Sequence, residues 1–181
     1  MEMEERKVLE PGSQSIAAKA WRRAAEEARA EEERLCRQEK EGEKGNRPLV
    51  SICCITYNHG PYIRQTLEGF LMQETDFSWE LLIHDDASTD GTQDIIREYA
   101  ARFPDRIRPI LREENQYSKG ISNISIFNFP RARGTYIAMC EGDDYWIDDT
   151  KLQRQADYME AHPECTLCFH AARIESEDKA M

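Results

Sequence analysis

The sequence predicts an α/β domain with a mainly parallel sheet flanked by helices. Two observations carry the prediction. From Leu49 onward, short apolar β-rich runs alternate with amphipathic helical stretches, the pattern of repeated strand–helix units whose strands are covered on both faces. Two of those runs, Leu81-Leu82-Ile83 and Tyr136-Ile137-Ala138-Met139, lead into the acidic turns His84-Asp85-Asp86 and Glu141-Gly142-Asp143-Asp144. In such sheets ligands sit beyond the carboxyl ends of the strands, near a switch in strand order, so strand ends are where the chemistry belongs.

Residues 1–46 read as a charged helical extension and linker, and residues 47–181 as the domain. Ser15 to Lys40 is rich in Ala, Glu, Arg and Lys, all good helix formers. Trp21, Ala24, Ala28 and Leu35 fall near one face, but Glu31 interrupts a thin stripe, so the helix is expected to face solvent. A docking helix for a protein partner is the alternative. Glu41 to Pro48 has linker composition. Leu49 to Thr56 is the first predicted strand, and Tyr62 to Gln73 the first helix, with Ile63, Leu67, Phe70 and Leu71 at helical spacing. Trp79 to His84, Ile107 to Leu111, Thr135 to Cys140 and Thr166 to Ala171 are read as further strands. Thr92 to Phe103, Ile121 to Arg131 and Thr150 to Ala161 are read as helices.

Composition narrows the function classes. With 24 basic against 35 acidic residues the formal net charge is -11, which argues against nucleic acid and against an anionic membrane surface as partners. No apolar run reaches the roughly 18 residues that span a bilayer, and no secretory signal is visible. The expectation is a cytoplasmic protein, with peripheral attachment to the membrane through partners left open. Of the six cysteines, Cys53, Cys54 and Cys140 fall in strand-like runs, where a thiol serves as a small core residue. Cys165 and Cys168 have metal-site spacing but no second ligand pair, and on a strand they would point to opposite faces.

Three carboxylates within four residues, Glu141, Asp143 and Asp144, repel one another unless a cation lies between them. Taken alone, that turn is either a solvated acidic loop or a hard-metal site. The second acidic turn favours one shared site, because the turns after the first, second and fourth strands, carrying Tyr57-Asn58, Asp85-Asp86 and Asp143-Asp144, would meet at one sheet edge. Walker and Gly-x-Gly-x-x-Gly motifs are absent. An EF-hand reading of Asp86 to Gly91 fails because Arg97 stands where the bidentate Glu is required. Asp90 is read as the cap of the helix starting at Thr92, and Ser88 as a turn-holding hydroxyl. Tyr145 and Trp146 either line the site or pack under the next helix. His59, His162 and His170 show no partners and are read as structural or exposed.

A metal-carboxylate site beside an aromatic residue suits a nucleotide diphosphate. Cys53-Cys54-Ile55-Thr56-Tyr57-Asn58, Asp85-Asp86-Ala87-Ser88-Thr89-Asp90-Gly91-Thr92, and Arg133-Gly134-Thr135-Tyr136-Ile137 followed by Glu141-Gly142-Asp143-Asp144-Tyr145-Trp146 closely resemble family 2 glycosyltransferases of the GT-A, Rossmann-like fold. The resemblance spans about residues 49 to 173. It implies that Thr56 and Tyr57 contact the nucleotide base, that Asp86 reads the base, usually uracil, and that Asp143 contacts the ribose. With Asp144, Asp143 would hold Mn2+ or Mg2+ on the diphosphate. Glu141 stands where Asp is commoner. The implied reaction moves a sugar from a nucleotide donor, a UDP-sugar, to a hydroxyl of a glycan or lipid-linked acceptor in polysaccharide or glycan synthesis.

The family's catalytic base is expected well downstream of the metal motif, and nothing after Asp144 occupies its position, so the catalytic residue is unknown. The tail Glu175 to Ala180 has the character of a frayed terminus. The chain is therefore expected to hold the donor-binding portion, with the acceptor half missing. A donor-binding module dependent on a partner, and an interaction protein that retains the fold, are the alternatives.

Overall fold

The computed structural model describes residues 47–174 together with Arg23, Glu26, Glu27, Ala30 and Arg34. Four parallel strands, β1 (Val50–Thr56), β2 (Trp79–Asp85), β3 (Ile107–Leu111) and β4 (Tyr136–Glu141), form one sheet in the order β3-β2-β1-β4. The strand order reverses between β1 and β4, the switch point at which ligand crevices form in open parallel sheets. Helices α1 (Ile63–Leu71), α2 (Thr92–Arg102) and α3 (Lys151–Ala161) follow β1, β2 and β4. The expected elements between residues 49 and 111, and the fourth strand and the helix after it, thus form with small shifts at their ends.

Register explains how the sheet divides its two faces. Ile52 pairs with Leu81 and Cys54 with Ile83, so these four side chains share a face and join Ile63, Leu67 and Phe70 of α1, Ile96 and Tyr99 of α2 and Leu152 of α3 in one buried cluster. A nine-residue helix such as α1 is too short to be stable alone. Burial of its three large apolar side chains supplies roughly 2 kcal/mol each and holds it in place. The thiols of Cys53 and Cys140 are both pushed up to about 12, first by burial, as befits core residues rather than reactive ones.

The opposite face is covered by residues 121–131, and here the sequence expectation needs refining. Instead of one helix the segment forms a π turn (Ile124–Asn128) running into a 3-10 turn (Phe129–Arg131). Pro130 offers no N–H to an α-helical ladder. Asn128 is pulled onto the sheet, where its Nδ2 donates to the carbonyls of Cys54 (2.9 Å) and Leu82 (3.2 Å). The expected fifth strand, Thr166 to Ala171, does not form; the segment carries no regular structure and leaves Leu167 and Phe169 exposed. A strand needs a neighbour for its backbone groups, and this segment pairs with neither edge of the sheet.

β4 is docked by a buried charge cluster at the other end of the sheet. Glu80, 1% exposed, accepts from Ser51 Oγ (2.7 Å), from Arg133 N (2.9 Å) and from Arg133 Nε (2.9 Å), with Arg133 Nη2 at 2.7 Å. Gly134 N donates to Ser51 Oγ at 2.8 Å. A Cβ on Gly134 would lie 2.5 Å from the backbone nitrogen of Ser51, so only glycine permits this approach. The motif Arg133-Gly134 therefore sets where β4 begins and, six residues on, where its acidic turn emerges.

Of the expected N-terminal helix, the described residues are helical and exposed, with Arg23 paired to Glu27 at 2.9 Å. Its face of Trp21, Ala24, Ala28 and Leu35, the linker up to Asn46, and the tail Glu175 to Ala180 lie outside the described residues. Among the described residues no helix is long and apolar enough to cross a membrane.

Candidate functional site

The strand ends bring the three expected turns together. Thr56 is level with Asp85 and Ile55 with Glu141 across β1, and both ladders continue for one bond past the strands: Asp86 N donates to Thr56 O (3.0 Å) and Gly142 N to Ile55 O (2.9 Å). Thr56, Asp86 and Gly142 therefore stand side by side at the head of the sheet, and Tyr57, Asp143 and Asp144 follow directly in the chain.

The first two turns are laced to each other. Asn58 N donates to Ser88 Oγ (2.8 Å), Thr89 N to Asn58 Oδ1 (2.9 Å) and Gly60 N to Asp90 Oδ2 (2.8 Å). Asp90 Oδ1 also accepts from Thr92 N (3.1 Å) and Thr92 Oγ1 (2.5 Å) at the start of α2. Partial burial works against the charge on Asp90, but these donors outweigh it and hold the carboxyl below its ordinary range. The lacing forces left-handed backbone at Asn58 (φ 54) and Ala87 (φ 69). Asn tolerates that conformation locally, whereas Ala is strained there by roughly 1 kcal/mol.

The two aspartates of the second turn are buried and fully engaged. Asp85 accepts from Ser88 N (3.0 Å), Gln93 Nε2 (2.6 Å) and Ser88 Oγ. Asp86, 2% exposed, accepts from Gln116 N (2.7 Å) and Tyr117 N (3.0 Å), while its carbonyl accepts from Asn115 Nδ2 (3.1 Å). Asp86 thus anchors the loop before the 3-10 turn Tyr117–Lys119, a role without any local sequence signal, since its partners lie 30 residues away. Beneath it His84 is buried, stacks on Phe127 at 4.8 Å and accepts from Arg112 Nε at 3.4 Å. Burial first, then the Arg112 and Arg131 charges, push its pKa down to about 4, against the pull of Asp86.

The third turn is held from below and open above. Gly142 is seated on Thr56: a Cβ there would lie 2.4 Å from Thr56 Oγ1 and 3.0 Å from His59 Nδ1. Its carbonyl accepts from Thr66 Oγ1 of α1 at 3.0 Å. Trp146 is buried edge-to-face on Phe70 (4.7 Å), with Lys151 Nζ 3.9 Å above its ring, so it packs under the following helix. Asp148 then holds the turn into α3, accepting from Thr150 N at 2.9 Å and Thr150 Oγ1 at 2.8 Å. Between these anchors Asp143 and Asp144 are exposed, and the carboxylate of Asp144 receives no hydrogen bond among the described residues. The ring of Tyr57, 47% exposed, stands on the adjacent strand end. Thr56 is 4% exposed, its hydroxyl buried without a partner. His59, set aside in the sequence reading, is half-buried with Nε2 3.7 Å from Asp143 Oδ2. His162 pairs with Glu164 at 3.2 Å and His170 is exposed.

Comparison with known proteins identifies the family and the fold. The family model described as Glycosyl transferase family 2 matches residues 51–181. The uncharacterised protein Rv1520 of Mycobacterium tuberculosis is 50% identical over 131 residues, covering 72% of this chain and 37% of the relative. TuaG of Bacillus subtilis, whose name assigns it to teichuronic acid biosynthesis as a glycosyltransferase, is 35% identical over 132 residues, 73% of this chain and 50% of TuaG. The crystal structure of S. aureus TarS 1-349 in complex with UDP superposes with a TM-score of 0.51 at 26% identity, covering 63% of this chain and 32% of that one. The chain thus spans between about a third and a half of the length of these curated relatives.

Proposed function

The chain belongs to glycosyl transferase family 2, with the GT-A fold, and on that premise we propose that it binds the nucleotide-diphosphate end of a UDP-sugar. The sugar passes to an acceptor hydroxyl in polysaccharide or glycan synthesis. The observation that carries this reading is the contrast at the head of the sheet. An exposed carboxylate pair, Asp143 and Asp144, and an exposed aromatic ring, Tyr57, stand beside a turn whose own carboxylates, Asp85, Asp86 and Asp90, are already engaged by protein donors. Tyr57 stacks on the base, with Thr56 behind it at the strand end. Asp86 faces the base while its backbone partners hold it in place, and Asp143 contacts the ribose. The likeness to the UDP complex of TarS supports uracil, and the name of TuaG, a teichuronic acid biosynthesis glycosyltransferase, supports polysaccharide or glycan synthesis.

Among the described residues no group of three or more His, Cys, Asp or Glu side chains forms a ready-made metal cage. Two hard carboxylates suit Mn2+ or Mg2+ all the same, because such ions take one or two protein carboxylates and complete their shell with phosphate oxygens and water. The residues that would hold the ion are Asp144 and Asp143. When bound, it stabilises negative charge developing on the departing diphosphate. The division into a charged extension over residues 1–46 and a donor-binding domain over 47–181 belongs to the same reading.

The test is thermal unfolding of the purified chain with Mn2+, with and without UDP. UDP at about 100 times its dissociation constant adds roughly 2.7 kcal/mol to a chain that binds it only when folded, so the midpoint is expected to rise when metal and UDP are both present. A cooperative transition indifferent to both would sink the donor-site reading.

A further inference from the structure

The position of His59 carries an inference that rests on the reading of Asp143 as a donor-site carboxylate and goes one residue further. Its backbone is pinned, because its carbonyl accepts from Tyr62 N (2.9 Å) and Ile63 N (2.8 Å) at the start of α1. The residues on either side are fastened to the Ser88–Asp90 turn. The point from which the imidazole projects is therefore fixed, and the ring itself is half-buried. On one side Nε2 approaches Asp143 Oδ2 at 3.7 Å. On the other, Nδ1 is buried without a partner, and so is the hydroxyl of Thr56. Both atoms border the space that a side chain on Gly142 would fill. A buried nitrogen and a buried hydroxyl left unpaired at a strand end, beside an otherwise exposed carboxylate, are unfavourable unless ordering that carboxylate compensates for them.

We propose that His59 is a positioning residue. Its Nε2–H, with the Thr56 hydroxyl behind its Nδ1, orients the Asp143 carboxylate toward the nucleotide diphosphate. The 3.7 Å separation is longer than a hydrogen bond, and such contacts commonly tighten only when ligand is present. Gly142 is the enabling residue, since any side chain there would collide with the hydroxyl and crowd the ring.

The test measures UDP affinity in Mn2+ for the wild-type chain, His59→Ala, His59→Gln, Asp143→Asn and the Asp143→Asn/His59→Ala double variant, with the unliganded unfolding midpoint of each. Gln places an amide N–H near the position of Nε2. His59→Ala is expected to weaken metal-dependent UDP binding about tenfold, within the range of coupling between contacting groups. His59→Gln should restore it to within about threefold, and the His59→Ala loss should vanish in the Asp143→Asn background. Should His59→Ala fail to fold, His59→Phe, which fills the same space without nitrogens, takes its place. Wild-type affinity in His59→Ala overturns the inference. So does a loss that Gln does not rescue, or one that persists with Asp143→Asn, which would put the ring on the ligand itself. A wild-type chain with no metal-dependent UDP affinity overturns the donor-site reading, and this inference with it.

Discussion

After β2 the chain turns through Asp85-Asp86, both buried and each accepting hydrogen bonds on both carboxylate oxygens. After β4 it turns through Asp143-Asp144, both exposed, with a lone imidazole near one of them. The two turns carry the same pair of letters at the same edge of a parallel sheet, offset by one position, but have opposite occupancy by protein donors. Carboxylates saturated by backbone and side-chain donors fix loops, whereas carboxylates left open are available to a ligand. Asp85 is thus scaffold, Asp86 holds its loop as well as the place proposed for it beside the base, and Asp143 and Asp144 are left open by the rest of the chain.

The contrast breaks most visibly if the buried turn can be stripped without consequence. Asp85→Ala leaves Ser88 and Gln93 without their acceptor, and a loss of about 4 kcal/mol of stability is expected, measured by urea unfolding of the unliganded chain. A loss under 1 kcal/mol would put the two turns in the same class. Acid should attack the same region. His84 is neutral when folded, with a pKa lowered from 6.5 to about 4, so between those values the unfolded chain binds the extra proton. Stability is therefore complete above pH 6.5 and falls as the pH drops toward 4, by up to roughly 3 kcal/mol. Urea unfolding at pH 7 and pH 4.5 should show a smaller difference in His84→Gln than in the wild type.

The open turn should behave in reverse. Asp144→Ala is expected to leave the unliganded midpoint unchanged or slightly raised, since it removes like-charge repulsion. Metal-dependent UDP binding should fall at least ~100-fold, about 2.7 kcal/mol, by titration calorimetry. Retained affinity would remove Asp144 from the site. The smallest effect sharpens the picture of the buried turn: Ala87→Gly relieves left-handed backbone at φ 69 and is expected to stabilise by at most about 0.5 kcal/mol, net of the greater freedom of glycine when unfolded.

Much of the fold was legible because its strands are short apolar runs closed by turn residues. Leu49 to Thr56 and Trp79 to His84 needed only local pattern, and the parallel order followed from the helices between them. The run Thr166 to Ala171 has the same local pattern but no strand to pair with, and pairing is not a local property. Residues 121–131 carried a helical pattern, yet Pro130 and the pull of Asn128 onto two sheet carbonyls reshaped them. At the site, Tyr57, Asp86, Asp143 and Asp144 could be picked out by their place after strands. The contact of His59 with Asp143 could not, because it spans 84 positions and depends on the absent side chain of Gly142.

The socket of Ser51 and Glu80 has a kinetic meaning. It is assembled from β1 and β2, whose bond between these residues spans 29 positions, whereas Arg133 reaches it across 53. Loop closure favours the shorter connection, so β4 is expected to dock onto a pair of strands already formed, with the open acidic turn the last part of the head of the sheet to take shape. Replacing Arg133 with Met should therefore accelerate unfolding while leaving the refolding rate nearly unchanged. Stopped-flow refolding slowed as much as unfolding is accelerated would place the docking of β4 before the rate-limiting step.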